Sequence, residues 1–214
     1  MSDNVDQAYW DDRYGAGDDV WSGAPNPVLV SSTLALPAGS ALDIGCGEGA
    51  DAIWLASRGW NVTAADFSAV ALEHAAARSR TAGADPTESA AIAERIRWEQ
   101  HDFTVWAPPA STFDLVSAQF MHLPSGPRTV LFRALATAVA AGGTLLIVGH
   151  DVSASHRHGH TPPADMFFTA AEVAASLDPA LWQVEVADSR PRAAKDADGA
   201  VVSLTDAVVR ARRR

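Results

Sequence analysis

Ala41-Leu42-Asp43-Ile44-Gly45-Cys46-Gly47-Glu48-Gly49 is the stretch on which the reading of this chain turns. An apolar run ends in three alternating glycines, and an alanine-rich segment, Ala50 to about Ser57, follows. That pattern predicts a buried strand, a tight turn and a helix. Glycine lacks a Cβ, so it accepts positive φ and lets a ligand come close to the backbone. The helix behind the turn offers unpaired N–H groups at its N-terminus. Residues 43 to 51 therefore read as a nucleotide- or nucleoside-binding turn; the plainer alternative is a glycine-rich turn with no ligand.

Two ligands fit the spacing. Gly45, Gly47 and Ala50, with Asp66 further on, satisfy the loose dinucleotide fingerprint. The same residues also form D-x-G-x-G-x-G, with Asp43 before the first glycine and Glu48 inside the loop. Carboxylates there repel a pyrophosphate. S-adenosylmethionine carries a sulfonium, an α-amino group and no phosphate, so charge complementarity favours it over NAD.

With 214 residues, the chain suits one domain with a full core, read as a core from 31 to 214 behind an aromatic segment from 1 to 30. Its 48% hydrophobic and 20% charged residues are those of a globular protein. A net charge of −10 argues against nucleic acid as a partner. The basic cluster Arg210, Arg212, Arg213 and Arg214 reads as a solvated terminus. Cys46 is the single cysteine, which suits a reducing, cytoplasmic setting, and it reads as a packed residue rather than a nucleophile. The acidic start is no signal peptide, and no apolar run reaches spanning length.

In chain order, Tyr9, Trp10, Tyr14 and Trp21 cluster ahead of the first strand, with a short helix over residues 10–14. Aromatic faces attract cations, so Trp10, Tyr14 and Trp21 are candidates for a lid over the ligand; packing on the core is the alternative. Helices are expected over Val28–Leu36, Ala50–Ser57, Ala69–Thr81 (capped by Ser68), Arg128–Ala140 and Thr169–Leu177, the last opened by the capping box Thr169-Ala170-Ala171-Glu172. Gly59 reads as a helix-ending glycine. Strands are expected over Ala41–Ile44, Asn61–Ala65, Ile96–Glu99, Phe113–Ala118, Thr144–Val148, Trp182–Ala187 and Val201–Arg210, the last two paired antiparallel. Residues 83–94 and 190–200 read as polar connections, and Gly142-Gly143 as a helix terminator. The fold expected is α/β: a Rossmann-like, seven-stranded, mostly parallel sheet with helices on both faces and an antiparallel C-terminal hairpin strand.

Ligands of such sheets sit at the carboxyl ends of the strands. Asp66, followed by Phe67, ends strand two, where an acid can accept both ribose hydroxyls. Asp102 and Phe103 follow strand three, placed for an adenine amine and ring; the alternative for Asp102 is a turn or cap. Gln119, Phe120 and His122 follow strand four, and His150 and Asp151 follow strand five. His150, His156, His158 and His160 share one loop; with no acid or cysteine at ligand spacing, a mobile substrate-side loop is preferred to a metal site.

The turn at Asp43–Gly49, the acids Asp66 and Asp102, and Gly142-Gly143 before strand five together resemble class I S-adenosylmethionine-dependent methyltransferases over residues 28 to 210. Trp10–Tyr14, Trp21-Ser22-Gly23 and residues 117–123 are similar to small bacterial members of the tellurite-resistance or thiopurine-methyltransferase-like kind. The resemblance implies that Gly45, Gly47 and Gly49 lie against the methionine moiety. Asp66 would hold ribose and Asp102 and Phe103 adenine, while Gln119 and Phe120 would line the pocket near the methyl. It implies a small-molecule acceptor, methylated by in-line displacement, with His122 and His150 as candidate bases and Asp151 a poorer one. The alternatives are an NAD(P)-dependent oxidoreductase and a non-catalytic nucleoside-binding domain. With Lys195 the only lysine and Tyr9 and Tyr14 the only tyrosines, a Tyr-x-x-x-Lys reductase is disfavoured.

Overall fold

The computed structural model describes residues 7–16, 22–121, 123–152, 164–195 and 201–214. The chain forms two compact units, residues 1–106 and 107–214. Its seven strands belong to one sheet of mixed direction. Among the described residues no helix is long and apolar enough to cross a membrane.

The first unit holds α1 (Gln7–Gly15), α2 (Pro27–Thr33), β1 (Ser40–Ile44), α3 (Ala50–Ser57), β2 (Asn61–Asp66), α4 (Ala69–Ser79), α5 (Pro86–Glu94) and β3 (Ile96–Gln100). Its strands run parallel in the order β3-β2-β1. α3 has the expected bounds and buries Ala52, Leu55 and Ala56, with Ala52 rather than Ile53 on the inner face. The expected connection over 83–94 is instead helical. Asp85 caps α5 by accepting from Thr87 and Glu88 N–H, and Pro86 sits at the first helical position, where its missing N–H costs nothing. α5 buries only Ser89 and Ile92, so its apolar periodicity is faint.

The second unit holds β4 (Phe113–Gln119), α6 (Ser125–Ala138), β5 (Val139–His150), α7 (Ala170–Ala175), β6 (Trp182–Lys195) and β7 (Val201–Arg213). β4 and β5 are parallel, and β7 is antiparallel to both β5 and β6. α7 opens with the expected capping box, both of its hydrogen bonds being present. α6 begins three residues earlier than expected: Pro127 lies in its first turn, where no intrahelical N–H bond is lost. β5 begins before Gly142-Gly143, which interrupt the strand rather than end a helix. The register slips there, with Val139 and Thr144 facing Phe113 and Leu115, and Gly142 takes φ +78°.

β6 and β7 are also longer than expected. β5 stops where His150 faces Asp206, yet β6 and β7 stay paired out to Lys195 and Val201. Residues 191–195 and 201–205 thus form a two-stranded ribbon projecting past the end of β5. The basic terminus is strand, not a solvated tail. Arg210 pairs with Glu185 at 3.0 Å. Arg213 Nη1 donates to the carbonyls of Thr137 and Val139, at the end of α6, and to Ser111 Oγ.

Candidate active site

In the first unit the glycine turn is held by β2. Gly45 and Cys46 N–H donate to Ala65 O at 2.8 and 3.1 Å. Asp66 Oδ2 accepts from Gly47 N at 2.8 Å and Oδ1 from Ser68 N at 2.9 Å. The Phe67 N–H also acts on this carboxylate. Gly45, Gly47 and Gly49 all take positive φ. At Gly49 a Cβ would lie 2.6 Å from the Trp98 ring and 2.9 Å from Ala75 Cβ, so packing as well as conformation requires glycine there.

Asp43 is 2% exposed, and its Oδ2 has no hydrogen-bond partner among the described residues. Burial, then the charges of Asp51 and Asp66, push its carboxyl well above the usual range. Asp51 is pushed up to about 6 by burial, against a 2.6 Å hydrogen bond from Asn26 N–H. Asp66 is raised by burial, opposed by the N–H groups it accepts. Three carboxyls thus share a site short of positive charge. Burial and the same acids keep the Cys46 thiol protonated, in line with a packed residue rather than a nucleophile. Glu48 does not join them. Its buried carboxylate turns to α4, 3.1 Å from Arg78 and 3.5 Å from His74. The sequence reading that set Glu48 against the ligand is corrected: Asp43, Asp51 and Asp66 are the carboxyls gathered there.

The N-terminal arm packs on this unit. Ser68, which caps α4, donates to Asp11 at 2.5 Å, and Tyr14 is only 4% exposed. Trp10 stacks on Tyr14 at 5.9 Å. Asp102 is exposed, and its Oδ1 accepts from both Thr104 N and Thr104 Oγ1, a turn-capping arrangement. Phe103 is buried, 6.1 Å from Trp106. Phe67 lends its carbonyl to Gln100 Nε2.

In the second unit Gln119 donates to Ser117 Oγ at 2.9 Å and leaves Oε1 buried and without a partner among the described residues. Phe120 takes φ +55°, a conformation few non-glycine residues adopt, with its N–H bonded to Val148 O. Its ring lies 4.9 Å from that of His150 and 5.2 Å from the Arg192 guanidinium. His150 Nδ1 is 3.4 Å from Asp206 Oδ1, and Arg192 Nε donates to Asp206 Oδ2 at 2.5 Å. Burial would raise Asp206, but the bonds from His150 and Arg192 outweigh it and hold the carboxyl below its ordinary range. Asp151, the poorer candidate base, is buried and accepts from Ser189 Oγ at 2.7 Å, which ties the residue after β5 to β6.

Residues 41–143 match a family model described as a methyltransferase domain. Over that stretch the chain is similar to methyltransferases. Over 151 residues it is 30% identical to probable thiol methyltransferase 2 of Arabidopsis thaliana, covering 68% of this chain and 62% of that protein. Over 122 residues it is 34% identical to trans-aconitate 2-methyltransferase of Rhizobium meliloti strain 1021, covering 56% and 41%. TehB from Haemophilus influenzae shares its fold, with a TM-score of 0.71 at 16% identity over 96% of this chain and 67% of that one. The chain thus spans about two to three fifths of the length of these curated relatives.

The first unit brings together Asp43, the three glycines and Asp66, as expected of a methyltransferase. Trp21, His122, His156, His158 and His160 lie outside the described residues. Sequence reasoning missed Asp51, Arg192 and Asp206. Asp51 sits one residue into a helix and reads as an ordinary first-turn acid. Arg192 lies in a stretch whose composition reads as loop, and Asp206 in a strand whose length was underestimated.

Proposed function

We propose that this protein transfers a methyl group from S-adenosylmethionine to a small-molecule acceptor, in a reducing, cytoplasmic setting. The observation that carries the reading is Asp43. An acid buried beside a glycine turn, with one oxygen unpartnered and two more carboxyls close by, suits a ligand that brings positive charge and no phosphate. The same charge argues against the pyrophosphate of NAD.

In this reading Gly45, Gly47 and Gly49 accommodate the methionine moiety, and Asp43 with Asp51 faces its ammonium. Asp66 holds the ribose hydroxyls. Asp102 and Phe103 serve adenine, and Gln119 Oε1 and Phe120 line the methyl side. Trp10, Tyr14 and Trp21 form a lid. S-adenosylmethionine supplies a carbon already activated by its sulfonium, so the chain's work is alignment and exclusion of water. Where the acceptor must lose a proton, His150 takes it. Asp206 lies against Nδ1 and orients the ring. His122 is the second candidate base. The relatives' names, a thiol and trans-aconitate methyltransferase, support a small acceptor.

Calorimetric titration with S-adenosylhomocysteine, with NADH in parallel, tests this. Micromolar binding of S-adenosylhomocysteine only, abolished by Asp66→Ala, is expected. Binding of NADH alone would overturn the assignment.

A further inference from the structure

Arg192 is the one guanidinium described at the carboxyl-end ribbon that is both fixed and open. Its Nε and Nη2 face Asp206, at 2.5 and 3.4 Å. Asp206 is 2% exposed, and His150 Nδ1 lies 3.4 Å from its Oδ1, the oxygen that Arg192 Nη2 also faces. The Phe120 ring covers the guanidinium at 5.2 Å. A guanidinium carries five N–H donors in a planar fork. Asp206 occupies the Nε/Nη2 edge. The end-on edge, Nη1 with the second N–H of Nη2, makes no hydrogen bond among the described residues, and the side chain keeps 36% of its exposure. That edge is the one that takes a second carboxylate bidentately.

The surroundings are those of a recognition site rather than a surface pin. Phe120 holds positive φ to present its ring, and strain of that kind persists where the neighbouring structure enforces it. His150 lies beside the same ring, and the Phe167 ring is 6.1 Å from that of His150. An aromatic-lined patch with one oriented cation is therefore built next to the proposed base. Asp206 balances the charge of that cation and fixes its direction, while the open edge keeps its donors.

We propose that the methyl acceptor carries a carboxylate, that Arg192 binds it through its end-on edge, and that Asp206 is the positioning residue that holds the guanidinium for it. This deepens the methyltransferase assignment and rests on it. It names the acceptor class and a specificity residue, while the cofactor half stands on other side chains.

The test uses two isosteric probes, benzoate and benzamide, titrated by ligand-observed NMR against the full chain with and without saturating S-adenosylhomocysteine. Benzoate is expected to bind about 10-fold or more tighter than benzamide, since a charged hydrogen-bonded pair is at stake. Arg192→Gln should erase that preference while leaving benzamide unchanged. Arg192→Lys should restore part of it, and Asp206→Asn should lower it partway. Circular dichroism of each variant checks that it is folded. Equal affinity for the two probes, no binding of either, or a preference surviving in Arg192→Gln would each overturn the proposal. S-adenosylhomocysteine binding, measured by itself on the wild type, reads the cofactor assignment separately. Its retention beside a missing benzoate preference would sink the carboxylate site alone. Its loss beside an intact preference would sink the methyl donor alone.

Discussion

Gly49→Ala should destabilise the protein far more than an ordinary glycine-to-alanine change at a helix start. Two costs add. Gly49 has φ +81°, and an alanine held in the left-handed region costs about 1–2 kcal/mol. The new Cβ would also lie 2.6 and 3.0 Å from two atoms of the Trp98 ring and 2.9 Å from Ala75 Cβ, and overpacking of that kind costs about 1–3 kcal/mol. Together they amount to about 3 kcal/mol, a sizeable share of a domain's total stability. For a chain of this length that lowers the melting temperature by about 6–12 °C. Urea unfolding followed by tryptophan fluorescence reads it directly. The two contributions separate in a double-mutant cycle with Trp98→Leu, which removes the ring but not the φ penalty. The second substitution should recover about half the loss. A loss under about 1 kcal/mol, or no coupling to Trp98, would refute this account. So would an unchanged stability with weakened S-adenosylhomocysteine binding, because glycine would then be required by the ligand rather than by Trp98.

Glu48→Gln should lower stability by about 2 kcal/mol, because Arg78 and His74 lose their buried partner; S-adenosylhomocysteine affinity, by titration, should change less than about 3-fold. For Asp51 the sign runs opposite to the usual carboxylate. Its folded value of about 6 lies above the ordinary one, so the folded state binds the proton more tightly, and this contribution to stability falls as pH rises from about 4 to about 6. The loss is up to about 3 kcal/mol, and urea unfolding across that range should show a flatter profile in Asp51→Asn; identical profiles would count against the buried acid cluster. Arg213→Ala should cost about 1–2 kcal/mol by uncapping the carbonyls that end α6, whereas Arg214→Ala should stay within about 0.5 kcal/mol; equal effects in thermal melts would return the terminus to a solvated tail.

How much could be read in advance depended on the range of the interactions. The turn at Gly45–Gly49, α3, and the capping box at Thr169–Glu172 are local. Chirality, φ preference and side-chain-to-backbone bonds act within a few residues, so the string of letters displays them. α5 carried a readable cap at Asp85-Pro86, but its single buried isoleucine left the apolar period too weak to outweigh its polar composition. The expected helix start at Arg128 and its end at Gly142-Gly143 both shift in the structure. A first helical turn tolerates proline, and a strand can absorb a glycine pair by slipping register, and in each case a neighbouring element decides which occurs.

By itself the sequence determined the order of the seven strands, the glycine turn, and the acids Asp43 and Asp66 near the ends of their strands, because each is set by residues near one another in the chain. Only the tertiary structure decided what those acids face. Parallel pairing of β1 with β2 brings Asp43 and Asp66 to one glycine turn, and α4 draws Glu48 out of it with Arg78. The long ribbon that sets Arg192 and Asp206 beside His150 and Phe120 was likewise decided by pairing between distant segments. Burial and charge then gave those carboxyls their properties, and neither is a property of a residue's neighbours in sequence.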